Sequence, residues 1–128
     1  LGYFTTALAP DELLTEIRLP VRGEGQRVGF EEVARKRGDF ALAGAAVALD
    51  ADADGECRSA RVVVFGVGDR PVRSEAAERA LAGRRLDADA AREAAAGAET
   101  EVDPKGDAHA SAEYRREVAA AAAGEEAR

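Results

Sequence analysis

Few side chains in this sequence are of types that carry out chemistry, and their spacing predicts no catalytic site. His109 is the single histidine and Cys57 the single cysteine among 128 residues. A metal site or a Ser–His–Asp triad needs further ligands or partners in an organised pattern, which the sequence lacks. His109 precedes a predicted helix, where we expect a solvated or loosely capping role. Cys57 has no activating base or helix terminus beside it, so we expect a small structural residue.

Two further patterns suggest chemistry at first sight. Gly66-Val67-Gly68 follows a predicted strand, but a dinucleotide-binding loop needs a third glycine and an immediate helix, which Pro71 delays. We therefore interpret these glycines as a strand end that allows close backbone approach. Adjacent carboxylates such as Glu31 and Glu32 point apart and indicate solvated faces. The residues alone thus predict no catalytic residue and no metal ligand.

Composition excludes several classes of protein. The net charge is -7, with 25 acidic and 18 basic residues, whereas a nucleic-acid binder needs a basic face. No apolar run approaches the roughly 18 residues of a membrane span, and no secretory signal pattern is present. The lone cysteine cannot form an internal disulfide or an iron–sulfur site, which indicates the cytoplasm. Because the sequence has no methionine, we expect a fragment of a longer chain.

The elements that would position any site divide into strands first and helices after. Alternation predicts short strands over residues 14–19 and 27–36, joined by a glycine loop, and a third strand over residues 57–67. The apolar run 40–49 suits either a buried strand or a helix of small residues. This order favours an α+β fold, in which an antiparallel sheet of three to four strands is packed by C-terminal helices.

Capping residues mark the predicted helices. Ser74 can cap a helix over residues 75–81, and Asp87 can cap one over residues 88–96 that Gly97 ends. Asp107 or Ser111 can start a final helix.

The final helix carries two further expectations. Tyr114 and Val118 share a stripe that we expect to be buried. The alanines at 119–123 bury little area per residue, so we expect this end to fray unless another subunit covers it.

Four stretches of the chain form an ordered set. They are Tyr3-Phe4-Thr5-Thr6-Ala7-Leu8-Ala9-Pro10-Asp11-Glu12-Leu13-Leu14, Phe30-Glu31-Glu32-Val33-Ala34-Arg35-Lys36-Arg37-Gly38-Asp39-Phe40-Ala41, Val64-Phe65-Gly66-Val67-Gly68-Asp69-Arg70-Pro71 and Asp107-Ala108-His109-Ala110-Ser111-Ala112-Glu113-Tyr114-Arg115-Arg116. Each stretch is weak alone, but the ordered set spans nearly the whole chain. Together they resemble one family, the C-terminal domain of the FAD-binding (medium) subunit in molybdenum hydroxylases of the carbon monoxide dehydrogenase and xanthine dehydrogenase type.

The resemblance implies that residues 1–128 are one flavoprotein C-terminal domain, without the upstream domain that binds the FAD pyrophosphate. It implies a molybdenum-dependent oxidoreductase in which this domain covers the flavin and has no catalysis of its own. Electrons would pass from a molybdopterin-binding large subunit, through a 2Fe-2S small subunit, to FAD and an acceptor. We expect the fragment alone to hold no FAD. A docking or scaffold module with the same fold and no flavin contact is the alternative.

The resemblance also implies site residues. Leu14 matches an aliphatic position near the isoalloxazine, and Phe30 matches an aromatic position at the same face. Many relatives have a lysine at the position of Glu31 or Glu32, where it can reach the flavin; we assign the cofactor position to Glu32. An anion there would disfavour the reduced flavin anion. Arg35 and Asp39 instead fit a structural pair across the bend at Gly38.

Overall fold

A four-stranded antiparallel sheet forms the first half of the molecule, with its strands in chain order. In the computed structural model, which describes residues 5–127, the strands are β1 (Gln26–Ala34), β2 (Ala41–Ala51), β3 (Cys57–Phe65) and β4 (Val72–Arg73). The run that could have been strand or helix is therefore strand β2. Tyr3 and Phe4, where the first family-like stretch begins, lie outside the described residues.

Three helices follow the sheet: α1 (Glu75–Leu81), α2 (Ala88–Thr100) and α3 (Ala112–Glu126). The predicted caps are confirmed, because the side chains of Ser74, Asp87 and Ser111 each accept a hydrogen bond from a first-turn backbone N–H. The α+β class with an antiparallel sheet is confirmed as well.

The helices cover one face of the sheet only. Along β2, alternate residues from Ala43 to Ala51 are buried, and Val62 and Val64 of β3 are fully buried beside them. Since side chains alternate across a strand, the intervening residues of both strands point away from the helices. The second face of the sheet has no layer over it among residues 5–127.

The core is built largely from alanine, so the elements lie close together. Gly97 was predicted to end α2, but the helix continues to Thr100. A Cβ on Gly97 would lie 2.8 Å from the backbone nitrogen of Ala77 and 2.9 Å from the carbonyl carbon of Ala76. The glycine therefore serves the close approach of α1 and α2 and does not act as a helix stop.

The predicted strand over residues 14–19 is wrong. Residues 13–22 belong to no strand or helix, and they pair with no strand in the described part of the chain. Leu13, Ile17, Leu19 and Val21 are between 76% and 94% exposed. Apolar and polar residues alternate here as they do in a strand, but a strand also needs a neighbouring strand to pair with its backbone N–H and C=O groups. We call residues 5–25 the N-terminal arm.

The final helix buries a different stripe from the predicted one. Tyr114 is 43% exposed and Val118 only partly buried, whereas Arg115, Ala119, Ala122 and Ala123 face the core. The alanines pack against β2 and α2 of the same domain. The expectation that this end needs another subunit is therefore not supported, because small side chains allow the helix to lie close to its own sheet.

Candidate functional site

The uncovered side of the sheet, which we call the open face, is apolar at its centre and polar towards its edges. The register places its residues in four rows across β1, β2 and β3. The rows are Gln26–Asp50–Ser59, Val28–Ala48–Arg61, Phe30–Ala46–Val63, which continues to Arg73 of β4, and Glu32–Gly44–Phe65. In the last three rows β2 contributes only alanine and glycine, so the large side chains there come from the neighbouring strands.

An aromatic pair dominates this face. The rings of Phe30 and Phe65 are stacked, with centroids 5.3 Å apart and planes at 16°. A Cβ on Gly44 would lie 2.6 Å from Cζ of Phe65, so the glycine leaves the space that this ring occupies. Phe30 nevertheless remains 61% exposed. An exposed aromatic ring supported by a stacked neighbour can pack against a planar aromatic ligand such as an isoalloxazine ring.

The predicted cofactor residues fall into two groups. Phe30 and Glu32 share the open face, because they are two residues apart on β1. Glu31 points to the helix side, where it borders a groove with Val118 and Glu125. Leu14 lies on the N-terminal arm, outside the strands of the sheet, and its side chain is exposed. The flavin contacts of Leu14, Phe30 and Glu32 remain predictions.

The bend after β1 is held by the expected pair. Nη2 of Arg35 donates to Oδ2 of Asp39 at 3.0 Å, across Gly38, whose φ of 78° lies in the left-handed region. Nη1 of Arg35 also lies 3.1 Å from Nδ1 of His109, and all three side chains border a cleft that includes Phe65. The predicted pairing of Arg35 with Asp39 is confirmed.

Arg115 is a positioning residue that sequence reasoning missed. It is only 8% exposed, and its Nη1 donates to the backbone oxygens of Leu42 and Gly66, the latter at 3.2 Å. Nη2 contacts Oδ2 of Asp107 at 2.7 Å. One guanidinium thus joins the start of α3 to β2, to the end of β3 and to the preceding loop. Its Nε is buried without a hydrogen-bond partner in the described chain.

Asp107 organises the loop before α3. Its carboxylate accepts hydrogen bonds from the backbone N–H groups of His109 and Ala110 and from Arg115. These bonds, with that of His109 the strongest, lower the pKa of Asp107 to about 2. His109 itself is exposed beside Arg35, as a solvated side chain would be.

The other candidate chemical residues are structural. Cys57 is buried, and burial raises the pKa of its thiol, which opposes reactivity. Gly66 ends β3 with a φ of 74°, and a Cβ there would lie 2.8 Å from the Leu42 oxygen, so its predicted role at a strand end is confirmed. Across residues 5–127, no group of three acidic, histidine or cysteine side chains is arranged to hold a metal, and no helix is long and apolar enough to cross a membrane.

A family model described as the CO dehydrogenase flavoprotein C-terminal domain matches residues 29–125. The chain belongs to this family. The resemblance seen in the sequence is therefore confirmed. The match begins inside β1, so Phe30 and Glu32 fall within it and Leu14 does not.

Individual relatives agree with this assignment. The chain is 45% identical over 83 residues to caffeine dehydrogenase subunit beta of Pseudomonas sp. (strain CBB1), covering 65% of this chain and 28% of that protein. It is 41% identical over 86 residues to the carbon monoxide dehydrogenase medium chain of Afipia carboxidovorans, covering 67% and 30%. A solved carbon monoxide dehydrogenase from Hydrogenophaga pseudoflava superposes with a TM-score of 0.91 at 32% identity, covering 98% of this chain and 44% of that one.

These relatives are much longer than this chain. The chain spans less than a third of either curated relative and less than half of the solved chain. The structural superposition covers 98% of this chain, whereas the two sequence matches cover 65% and 67% of it.

Proposed function

We propose that this chain is the C-terminal domain of an FAD-binding subunit in a molybdenum hydroxylase, and that its open face covers the flavin. In this role Phe30 packs against the isoalloxazine, Glu32 stands beside it, and Leu14 approaches it from the N-terminal arm. The domain performs no chemistry alone; it shields and positions a cofactor whose pyrophosphate is held by an upstream domain of the same subunit.

The observation that carries this proposal is the exposed ring of Phe30, stacked on the partly buried Phe65, on a sheet face without a covering layer in the described chain. The hydrophobic core lies on the opposite face, under the helices, so the exposed ring of Phe30 is not part of it. Large exposed aromatic surface on a small-residue platform is typical of a binding site. The family match and the dehydrogenase subunits among the relatives support FAD as the ligand.

The cofactor, when bound, accepts electrons and passes them on. In the proposed assembly the electrons come from a 2Fe-2S small subunit, which receives them from a molybdopterin-binding large subunit in the cytoplasm. This chain contributes a dry, flat surface that limits solvent access to one side of the flavin ring.

Truncation of the aromatic pair tests the proposal. In the full-length subunit, Phe30→Ala should weaken FAD binding about 3–10-fold, since an aromatic stack contributes roughly 0.5–1.5 kcal/mol beyond its buried area, and should alter the visible flavin spectrum. Tyr114→Ala is the matched control, because it removes another half-exposed ring from α3 on the helix side. Equal affinity and identical spectra for wild type and Phe30→Ala would refute flavin contact by this face.

A docking module without flavin contact is the second candidate, and the N-terminal arm favours it. Leu13, Ile17 and Leu19 expose apolar side chains that cover nothing within the described domain. Their joint replacement by serine should prevent subunit assembly under either proposal. Only the docking role predicts that Phe30→Ala leaves the flavin unaffected.

A further inference from the structure

Two neighbouring glutamates of β1 differ in the face that they occupy. Glu32 lies opposite Gly44, in the same row as Phe65, and therefore belongs to the open face. Glu31 lies opposite Ala45, which is wholly buried on the helix side. The family resemblance pointed to Glu32 as the carboxylate near a ligand, and the register independently places Glu32, and not Glu31, on the face of the aromatic pair.

The charge of Glu32 is not balanced on its own face. Within residues 5–127 no basic side chain forms an ion pair with Glu32. Two basic residues belong to the open face, and both are held by Glu78 at the sheet edge. Arg61 lies two rows from Glu32 and 3.6 Å from Glu78. The row between contains Phe30, Ala46 and Val63 and continues to Arg73 of β4, which lies 2.6 Å from Glu78.

Glu32 is also close to the aromatic pair. Two residues along a strand span about 7 Å, which is the separation expected between the backbone positions of Phe30 and Glu32. At that distance the carboxylate interacts electrostatically with any charge on the ligand. The interaction is strengthened because the bound ligand excludes water from the surface between them. Glu31 has the same charge one residue away, but the sheet separates it from the open face.

We propose that the carboxylate of Glu32, and not that of Glu31, opposes negative charge on the reduced flavin and thereby lowers the flavin midpoint potential. This inference rests on the proposed function, because it concerns the flavin which that function requires. Reduction adds two electrons and two protons to give the neutral reduced ring, or two electrons and one proton to give its anion. A nearby like charge disfavours the anion. The reduced ring then keeps its second proton to higher pH and becomes a stronger electron donor.

The test compares Glu32→Gln with Glu31→Gln in the full-length subunit loaded with FAD. The midpoint potential is measured by spectroelectrochemical titration at neutral and mildly alkaline pH, and the absorbance of the reduced flavin reports loss of its second proton. Glu32→Gln should raise the potential and should lower the pKa of the reduced flavin by about one unit, a tenfold change in proton affinity. Glu32→Lys should move both values further in the same direction. Glu31→Gln should leave both near wild type.

The outcomes separate the two proposals. A flavin that is bound stoichiometrically and is perturbed by Phe30→Ala, but whose potential is unchanged in Glu32→Gln, overturns the inference and leaves the proposed function standing. Equal shifts in Glu31→Gln and Glu32→Gln also overturn it, because they would show a long-range charge effect without regard to face. A subunit that binds no FAD overturns both proposals.

Discussion

The buried guanidinium of Arg115 offers a strong test of how this fold is held together. Arg115→Met keeps the length and apolar volume of the side chain but removes its bonds to the oxygens of Leu42 and Gly66. Hydrogen bonds to a charged group contribute about 1.5–3 kcal/mol each. The unpartnered Nε already costs some stability in the wild type, and the bond to half-exposed Asp107 adds little, so we expect a net loss of about 2–4 kcal/mol.

Thermal unfolding followed by circular dichroism measures this loss. For a domain of this size about 3–5 °C of Tm corresponds to 1 kcal/mol, so Arg115→Met should melt about 10 °C below wild type. Arg116→Met is the matched control, since Arg116 lies 3.8 Å from the fully exposed Asp103 and should change stability by less than about 0.5 kcal/mol. Equal Tm values for wild type and Arg115→Met would show that the carbonyl contacts contribute nothing and would refute the reasoning.

Three further results are expected. The pKa of Asp107 is lowered from its ordinary value of 3.8 to about 2 in the folded domain, so this carboxylate stabilises the fold fully above pH 3.8 and loses that effect as the pH falls towards 2. Asp107→Asn should therefore flatten the acidic part of a plot of urea midpoint against pH. An unchanged plot would contradict this. Gly44→Ala should cost about 1–3 kcal/mol in chemical denaturation because its Cβ would lie 2.5 Å from the Glu31 backbone oxygen and 2.6 Å from the Phe65 ring, whereas Gly68→Ala, whose Cβ would make only an ordinary contact of 4.0 Å with the Arg70 oxygen, should not. The isolated chain, titrated with FAD at micromolar concentration, should leave flavin fluorescence unchanged; tight, stoichiometric quenching would contradict this.

Local signals predicted the fold well where the cause of an element is itself local. Ser74, Asp87 and Ser111 mark helix starts because a cap is made by one side chain and its own first turn. Residues 14–19 misled because alternation records a preference for extended backbone, whereas a strand requires a partner that no local signal supplies.

The candidate site was harder to predict, because it depends on register. Phe30 was identified through the family resemblance, but its neighbour Phe65 and the space left by Gly44 come from strands far apart in the sequence. Arg115 was missed because a search for apolar stripes favours Tyr114 and Val118. The sequence did contain a signal for its burial: Arg115, Ala119 and Ala122 follow at spacings of four and seven residues, which places them on one face of a helix.

The close packing of the alanine-rich helices has a consequence for how this domain can change over evolution. Where a glycine such as Gly97 meets a neighbouring backbone, and where Ala91 and Ala95 border Gly124, almost any larger residue is excluded. The helical layer is therefore the part of the domain with the least freedom to vary, although its residues are chemically the plainest. The open face carries larger side chains and no such steric restriction at its outer strands. A library of random single substitutions, selected for function, would separate the two constraints. Positions on the open face that tolerate no substitution would identify residues needed by whatever covers that face, whereas intolerant positions in the helices would identify residues needed for folding.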